Sequence, residues 1–347
     1  MHELHELNDM SEPPSTQPVS PAHQNKPTSS VSSTSSIIAA IISNILVGIV
    51  KFIAAAFSGS SAMIAEGIHS IVDSGNGLLV FLGVRRSRKK ADTHHPFGYG
   101  QELYFWTLVV AIMIFALGGG FSIYEGIQHF YHPRNELENT SLNYIIIGIS
   151  GIIEGVSLAI AIKNFNKARG KLRPMQFIRE AKDPSLFTVV LEDSAAELGL
   201  IFAFLGIFCA DVFHNPHIDT LASIAIGLLL CAVSIVLLRE SKGLLIGEGL
   251  KNDELKVIES IAESNPFVVE CGRILSMYMG PHDLLLAMDV TFTFDASRDD
   301  IVRAVDEIEM RIAERFPDAT RVFIESESLR FTRKQALHSA ANEDAVE

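Results

Sequence analysis

Residues 61–84 read SAMIAEGIHSIVDSGNGLLVFLGV. The run is long and apolar enough for a membrane-spanning helix, which needs about 20 residues. It nonetheless carries His69 and Asp73. A helix turn puts i and i+4 on one face, so imidazole and carboxylate point the same way. An ionisable group at the bilayer centre costs roughly 2.5–3.5 kcal/mol on insertion scales. Two of them on one face predict a polar pathway or a metal site within a helix bundle.

Five further apolar stretches surround this one: Ser36–Phe57, Tyr104–Gly126, Asn143–Ile162, Ser185–Ala210 and Ile218–Leu238. Together they predict an all-α bundle of six transmembrane helices over residues 36–246. A hydrophobic content of 48% over 347 residues agrees with this, because soluble domains are seldom so apolar. Small residues such as Gly118, Gly119, Gly120, Gly151 and Gly155 let membrane helices approach closely.

The loops set the orientation. Arg85, Arg86, Arg88, Lys89 and Lys90 follow the second span, and Lys163, Lys167, Arg169, Lys171, Arg173, Arg179 and Lys182 follow the fourth. The loop after the third span has Arg134, and the loop after the fifth has neither Lys nor Arg. By the positive-inside rule the basic loops are cytoplasmic. With six spans, both termini are then cytoplasmic too. Residues 1–35 are rich in Ser, Thr, Pro and Gln and read as a disordered tail, unlike a signal peptide. Its His2, His5 and His23 are expected to do nothing specific. Asn139-Thr140-Ser141 matches a glycosylation sequon, a triplet common by chance.

The formal charge of −13 is unevenly spread, with acidic residues concentrated after Gly247. Nucleic acid is excluded as a partner on that pattern. Cys209, Cys231 and Cys271 are well separated, with no C-x-x-C, so packed thiols are expected rather than a disulfide framework or a zinc knuckle. No nucleophile–base pair on a loop suggests an enzyme.

From Lys251 the character changes. Asp253–Ser264 reads as an amphipathic helix, and Arg273–Met279 and Leu284–Phe294 as strands around a turn at Gly280-Pro281. Ser297 with Asp300 resembles a capping box opening a helix to about Phe316. Arg321–Ile324 closes a small α+β domain over residues 250–331. Residues 332–347 read as a second disordered tail.

Within the bilayer, Asp193 and Glu197 on the fifth span are again spaced i, i+4, and Glu192 is rotated about 100° from Asp193. The fourth span adds Glu154 and the first adds Asn44. One imidazole and three carboxylates suit a tetrahedral Zn²⁺, and oxygen ligands also suit Mn²⁺ or Fe²⁺. Metal and proton compete for the same atoms, which is the physical basis of exchange. A lone Glu154 has a competing role, as a buried hydrogen-bonding group that fixes helix packing.

Residues 61–70 (SAMIAEGIHS) with Asp73, then HPFGYG at 95–100, LLIGE at 244–248 and FIESE at 323–327, resemble the cation diffusion facilitator family of zinc transporters, and one branch of it that has many bacterial members. The resemblance covers roughly Ile37 to Arg330. It implies a homodimeric, proton-coupled carrier that moves divalent metal out of the cytoplasm, with a cytoplasmic ferredoxin-like domain on each protomer. It further implies a multi-pass protein of the bacterial inner (plasma) membrane. The partners implied are the metal substrate, protons, the lipid bilayer and a second copy of the chain. No cofactor is expected. Zn²⁺ is the expected substrate, with Mn²⁺, Fe²⁺ and Co²⁺ as alternatives.

The family's central site takes one i, i+4 pair from the second span and one from the fifth. His69 and Asp73 match the first. The second departs, since the position four before Asp193 is Val189, which cannot ligate. Asp193 with Glu197 keeps the i, i+4 face and is preferred, and Glu192 is the secondary candidate. A loop site of some members maps onto Asp92, His95 and Tyr99, with only two good ligands left. Metal positions of the family's cytoplasmic domain map near Gly272, Met288, Glu325 and Glu327, of which only the glutamates can ligate. His282 is expected to be solvated. The weakened accessory sites leave a competing role, a non-transporting membrane scaffold on the same fold. A passive channel is a third, with no filter motif in its favour.

Overall fold

Helix boundaries here follow local chemistry. The computed structural model describes residues 34–132 and 140–327. Helix α1 (Thr34–Ser58) leads into α2 (Ser61–Ser87), whose N-cap hydroxyl on Ser60 accepts from the Met63 amide. The last turn of α2 carries Arg85 and Arg86, where cations meet the negative end of the helix dipole. Helix α3 (Glu102–Met113) runs through a π-helical turn (Ile114–Gly120) into α4 (Phe121–Tyr131). Helices α5 (Thr140–Arg169), α6 (Pro174–Glu180), α7 (Pro184–Phe213) and α8 (His217–Ile246) follow.

Five described segments are long and apolar enough to cross a membrane: Ser61–Ser87, Glu102–Tyr131, Thr140–Arg169, Pro184–Phe213 and His217–Ile246. The first expected span is represented by α1, whose apolar described part, Asn44–Ser58, is shorter. The helices overrun the expected apolar limits because their polar ends continue the same hydrogen-bond ladder. The short α6 inside the basic loop was not expected. Its Pro174 sits in the first turn, where a missing N–H costs nothing.

Packing sorts each helix into an inner and an outer stripe. On α5, Ile145, Ile149, Ile152, Val156 and Ile160 are exposed, while Ile147, Ser150, Ala161 and Phe165 are buried. The exposed series steps by three or four residues, and the buried one by three, eleven (about three turns) and four, so each keeps to one face and the two faces are opposite. Large apolar groups on an outer face are at home in lipid, and Ile152 at 72% exposure has no other solvent to suit it. The π turn explains the triple glycine. A Cβ on Gly119 would strike Cys231 on α8, and one on Gly227 would strike the Gly119 carbonyl. Two glycines face to face let these backbones touch.

After α8 the chain forms α9 (Asn252–Glu263), β1 (Val268–Gly280), β2 (Asp283–Phe292), α10 (Arg298–Arg315) and β3 (Ala319–Glu327). The sheet order is β1-β2-β3, with β2 antiparallel to β1 and parallel to β3. The α-β-β-α-β order matches the sequence expectation; β1 and β3 are longer than expected, and β2 ends at Phe292, two residues short of the expected Phe294. The Ser297–Asp300 capping box is present in both directions. Leu284, Leu286, Met288 and Val290 alternate along β2 into a core with Ile258, Ala304, Ile308 and Ile312. The other sheet face leaves Leu275 and Phe323 exposed, in register on β1 and β3 through Ala287.

All three thiols are free. Residues 1–33 of the N-terminal tail, residues 332–347, His2, His5, His23, Arg134 and Asn139 of the sequon lie outside the described residues, while residues 34 and 35, read as tail, open α1.

Candidate functional site

Glu66, His69, Asp73 and Asn76 step by three or four along α2 and form one stripe. Glu66, His69 and Asn76 are buried. The His69 Nε2 and Asp73 Oδ2 atoms are 3.4 Å apart. That pair is not a formed hydrogen bond: both His69 nitrogens and Asp73 Oδ1 are buried and unpartnered. A buried polar atom without a partner costs about 1–3 kcal/mol, so a native bundle that keeps several at one place is holding them for something else.

The opposing wall is α5 and α7. Ser157 Oγ donates to Asp193 Oδ2 at 2.8 Å. Asn76 Nδ2 donates to Glu192 Oε1 at 2.9 Å, which ties α2 to α7. Glu197 lies against Gly155 of α5, and its Oε2 is buried and unpartnered. The α7 carboxylate joined to α2 by a hydrogen bond is therefore Glu192, while Asp193 and Glu197 line the α5 side. Among the described residues, no three His, Cys, Asp or Glu side chains gather closely enough to hold an ion.

Two residues at this site escaped the sequence reading. Lys51 of α1 is fully buried, and its Nζ lies 2.9 Å from Glu66 Oε2 and 2.9 Å from Glu154 Oε1. The signal was present, because a lone lysine in an apolar stretch must find a counter-charge. Removing one member of such a buried pair costs about 3–5 kcal/mol. Asp219 of α8 was also missed. It is buried and accepts from Ser60 Oγ, the Ser61 amide and hydroxyl, and the Ala62 amide. It thus fixes the start of the helix that carries His69.

The loop after α2 is a self-contained turn. Asp92 Oδ1 accepts from the amides of His94 and His95, and Oδ2 accepts from the Tyr99 hydroxyl at 2.7 Å and from Lys89 Nζ at 3.1 Å. These bonds, the Tyr99 one foremost, hold the Asp92 carboxyl well below the usual carboxylate range. His95 stacks on Tyr99, with ring centroids 4.2 Å apart. The Lys89 ammonium therefore occupies the place between Asp92 and Tyr99. Arg321 of β3 pairs with Asp283 at 2.6 Å and donates to the Phe97 carbonyl at 3.3 Å, joining the turn to the C-terminal sheet.

In the C-terminal unit Met288 is 1% exposed in the core and Gly272 has no side chain, so of the residues mapped there Glu325 offers an exposed carboxylate on β3. His282 is not merely solvated. Its Nδ1 lies 3.2 Å from Asp318 Oδ1, and that hydrogen bond raises its pKa above the ordinary histidine value.

Helices with apolar outer faces around a file of buried ionisable groups define an integral membrane transport protein. The chain belongs to the cation efflux transmembrane domain family, which matches residues 37–246. It is a family of transporters, not of enzymes. The chain is 33% identical over 258 residues to the proton-coupled zinc antiporter SLC30A9, mitochondrial, of Xenopus laevis, covering 74% of this chain and 46% of that protein. It is 32% identical over 244 residues to the protein of that name from Homo sapiens, covering 70% and 43%. It is 31% identical over 251 residues to metal tolerance protein C4 of Arabidopsis thaliana, covering 72% and 55%. The chain thus spans about half the length of these relatives. The resemblance read from the sequence motifs is borne out. The expected bacterial plasma membrane gains no support from relatives whose names say mitochondrial.

Proposed function

We propose that this chain is a secondary transporter that moves divalent metal cations, Zn²⁺ foremost, out of the cytoplasm in exchange for protons. One observation carries the proposal: His69 and Asp73 share a face of α2, and His69 Nδ1 and Nε2, Asp73 Oδ1 and Glu197 Oε2 are all buried and unpartnered. These are the atoms that metal and proton would take in turn. His69, Asp73, Asp193 and Glu197 are the proposed ligands, with Glu192 as a secondary one; no three of them stand close enough to hold one ion as described, so binding would require α2 and α7 to draw together. Glu192 is already committed to Asn76, and Glu197 keeps a free oxygen, which favours the i, i+4 pair on α7. Imidazole with carboxylates suits Zn²⁺, and oxygen-rich sets also take Mn²⁺, Fe²⁺ or Co²⁺. The names of the relatives support zinc and proton coupling.

The proposed assembly is a homodimer of six-span protomers with both termini on the side of the basic loops. The C-terminal unit is read as a ferredoxin-like variant whose open sheet face, with Leu275 and Phe323, suits pairing with a second copy. The proposed divisions are residues 36–246 and 250–331, flanked by tails. Uptake of Zn²⁺, Mn²⁺, Fe²⁺ and Co²⁺ into inverted vesicles containing a pH indicator tests the function. Metal entry with stoichiometric proton release is expected. Entry without proton movement would point to a channel, and no entry to a scaffold.

A further inference from the structure

Ile145, Ile149, Ile152, Val156 and Ile160 form the exposed outer stripe of α5. Lys163 and Lys167 extend that stripe at the same steps of three and four residues, and both are exposed. From Ile145 to Lys163 the helix rises about 27 Å, close to the thickness of a hydrocarbon core. One face of one helix is thus apolar for a bilayer's depth and then cationic. No acid balances the change. Residues 155–179 include Lys163, Lys167, Arg169, Lys171, Arg173 and Arg179 and neither Asp nor Glu. The carboxylates that follow are taken, Glu180 by Lys251 and Glu248 by Lys182, so neither Lys163 nor Lys167 has an ion-pair partner among the described residues.

The loop after α2 differs. There Arg86 lies 3.6 Å from Glu102 and Lys89 lies 3.1 Å from Asp92. A basic loop that serves orientation alone can pair its charges in that way. Nor does α6 cover the α5 lysines. Phe177 of α6 packs edge-on against Phe165, with ring centroids 5.1 Å apart, and Phe165 belongs to the buried face of α5. We propose that Lys163 and Lys167 form a docking site for the headgroup of an anionic phospholipid in the leaflet on the side of the basic loops, with its acyl chains along Val156 and Ile160. The occupant is lipid because the same stripe faces hydrocarbon one turn away, and anionic because two unpaired ammonium groups stand where headgroups lie. The lysine stems lie along the apolar surface while their ammonium groups reach the phosphate. Bound there, the lipid fixes the end of α5 about two turns from Ser157, which donates to Asp193. The inference needs only that these helices span a membrane, and it holds whichever ion is carried.

The test titrates the full chain, purified in a nonionic detergent, with phosphatidylglycerol or with phosphatidylcholine of the same acyl chains. Native mass spectrometry counts the lipid bound. Phosphatidylglycerol should be retained in preference to phosphatidylcholine. Lys163→Gln with Lys167→Gln should weaken phosphatidylglycerol binding roughly 25-fold, about fivefold for each lysine, and leave phosphatidylcholine binding unchanged. Lys163→Arg with Lys167→Arg keeps both charges and should bind as wild type does. Removing two charges from the other basic loop, by Arg88→Gln with Lys90→Gln, should leave the affinity near wild type, and millimolar inorganic phosphate should not displace the lipid. No preference for phosphatidylglycerol in the wild type, or equal binding by the wild type and the double Gln variant at 163 and 167, overturns the proposal. So does an equal loss in the variant at 88 and 90, which would leave only a general attraction of charge. Displacement by phosphate also overturns it, because the site would then be one for free anions. Loss of dimer mass in the Lys163→Gln, Lys167→Gln protein with lipid binding intact would overturn it in favour of an acidic face of a second copy.

Discussion

Replacing Asp219 tests whether the start of α2 is anchored electrostatically to α8. The carboxylate accepts from Ser60 Oγ at 2.6 Å, from the Ser61 amide at 2.6 Å and hydroxyl at 3.0 Å, and from the Ala62 amide at 3.3 Å. The two hydroxyls can rotate toward other partners. The two amides cannot, because they belong to the first turn of α2 and have no helical acceptor. Orphaning a buried donor costs about 1–3 kcal/mol, so the two amides together account for about 2–6 kcal/mol. Loss of a negative charge at a helix N-terminus adds up to about 2 kcal/mol where it is partly buried. Asp219→Ala should therefore destabilise by about 2–8 kcal/mol. Asp219→Asn keeps one acceptor oxygen, loses the charge, and should cost about half as much. Denaturant titration of the detergent-solubilised protein, followed by helical circular dichroism, should rank wild type above Asn and Asn above Ala. Metal flux should fall in the same order, since α2 carries His69 and Asp73. An Ala variant as stable as wild type, or one more stable than Asn, refutes the anchoring argument.

His69→Ala and Asp73→Ala should each abolish metal uptake while the protein still inserts; wild-type rates at equal protein level would exclude that face of α2 as the site. On α7, Asp193→Asn should be severe and Val189→Ala mild, and Glu197→Gln should lower flux more than Glu192→Gln. The reverse order for the glutamates would assign the site to the face tied to Asn76. His282 has its pKa raised by Asp318, so the pair stabilises the fold fully below the ordinary histidine pKa of about 6.5 and loses this as pH rises through the folded value. Asp318→Asn should lower the His282 pKa in an NMR titration, and an unchanged value would show the contact is not formed in solution.

The helices were legible because apolar runs of spanning length have few alternatives, and the His69–Asp73 face was legible because i, i+4 geometry is local. What failed to show was tertiary. That Asn76 reaches Glu192, and Ser157 reaches Asp193, depends on which helices are neighbours and at what height, and no single helix encodes that. Lys51 was readable in principle from its cost in lipid, yet its partners lie on other helices, Glu66 on α2 and Glu154 far along the chain on α5. Asp219 looked like an ordinary residue at a span's edge until α2 was placed beside it. The first residues of strand β1, from Val268 to Gly272, did not read as a strand because register shifts near Glu270 and between Cys271 and Ile274 break the alternation that marks one. The loop at Asp92 was readable as a turn, but not that Lys89 would fill it.

The central claim is exchange of metal for protons, and uphill movement measures it most directly. Purified protein in sealed vesicles would be given equal Zn²⁺ on both sides and an imposed pH difference, with a second dye confirming that the proton gradient holds. Proton-coupled exchange predicts that Zn²⁺ accumulates against its own gradient on the side from which protons leave, that it does so faster with a steeper pH difference, and that Asp73→Ala abolishes it. A chain that shows no uphill accumulation of Zn²⁺, Mn²⁺, Fe²⁺ or Co²⁺ while the proton gradient persists would contradict the account.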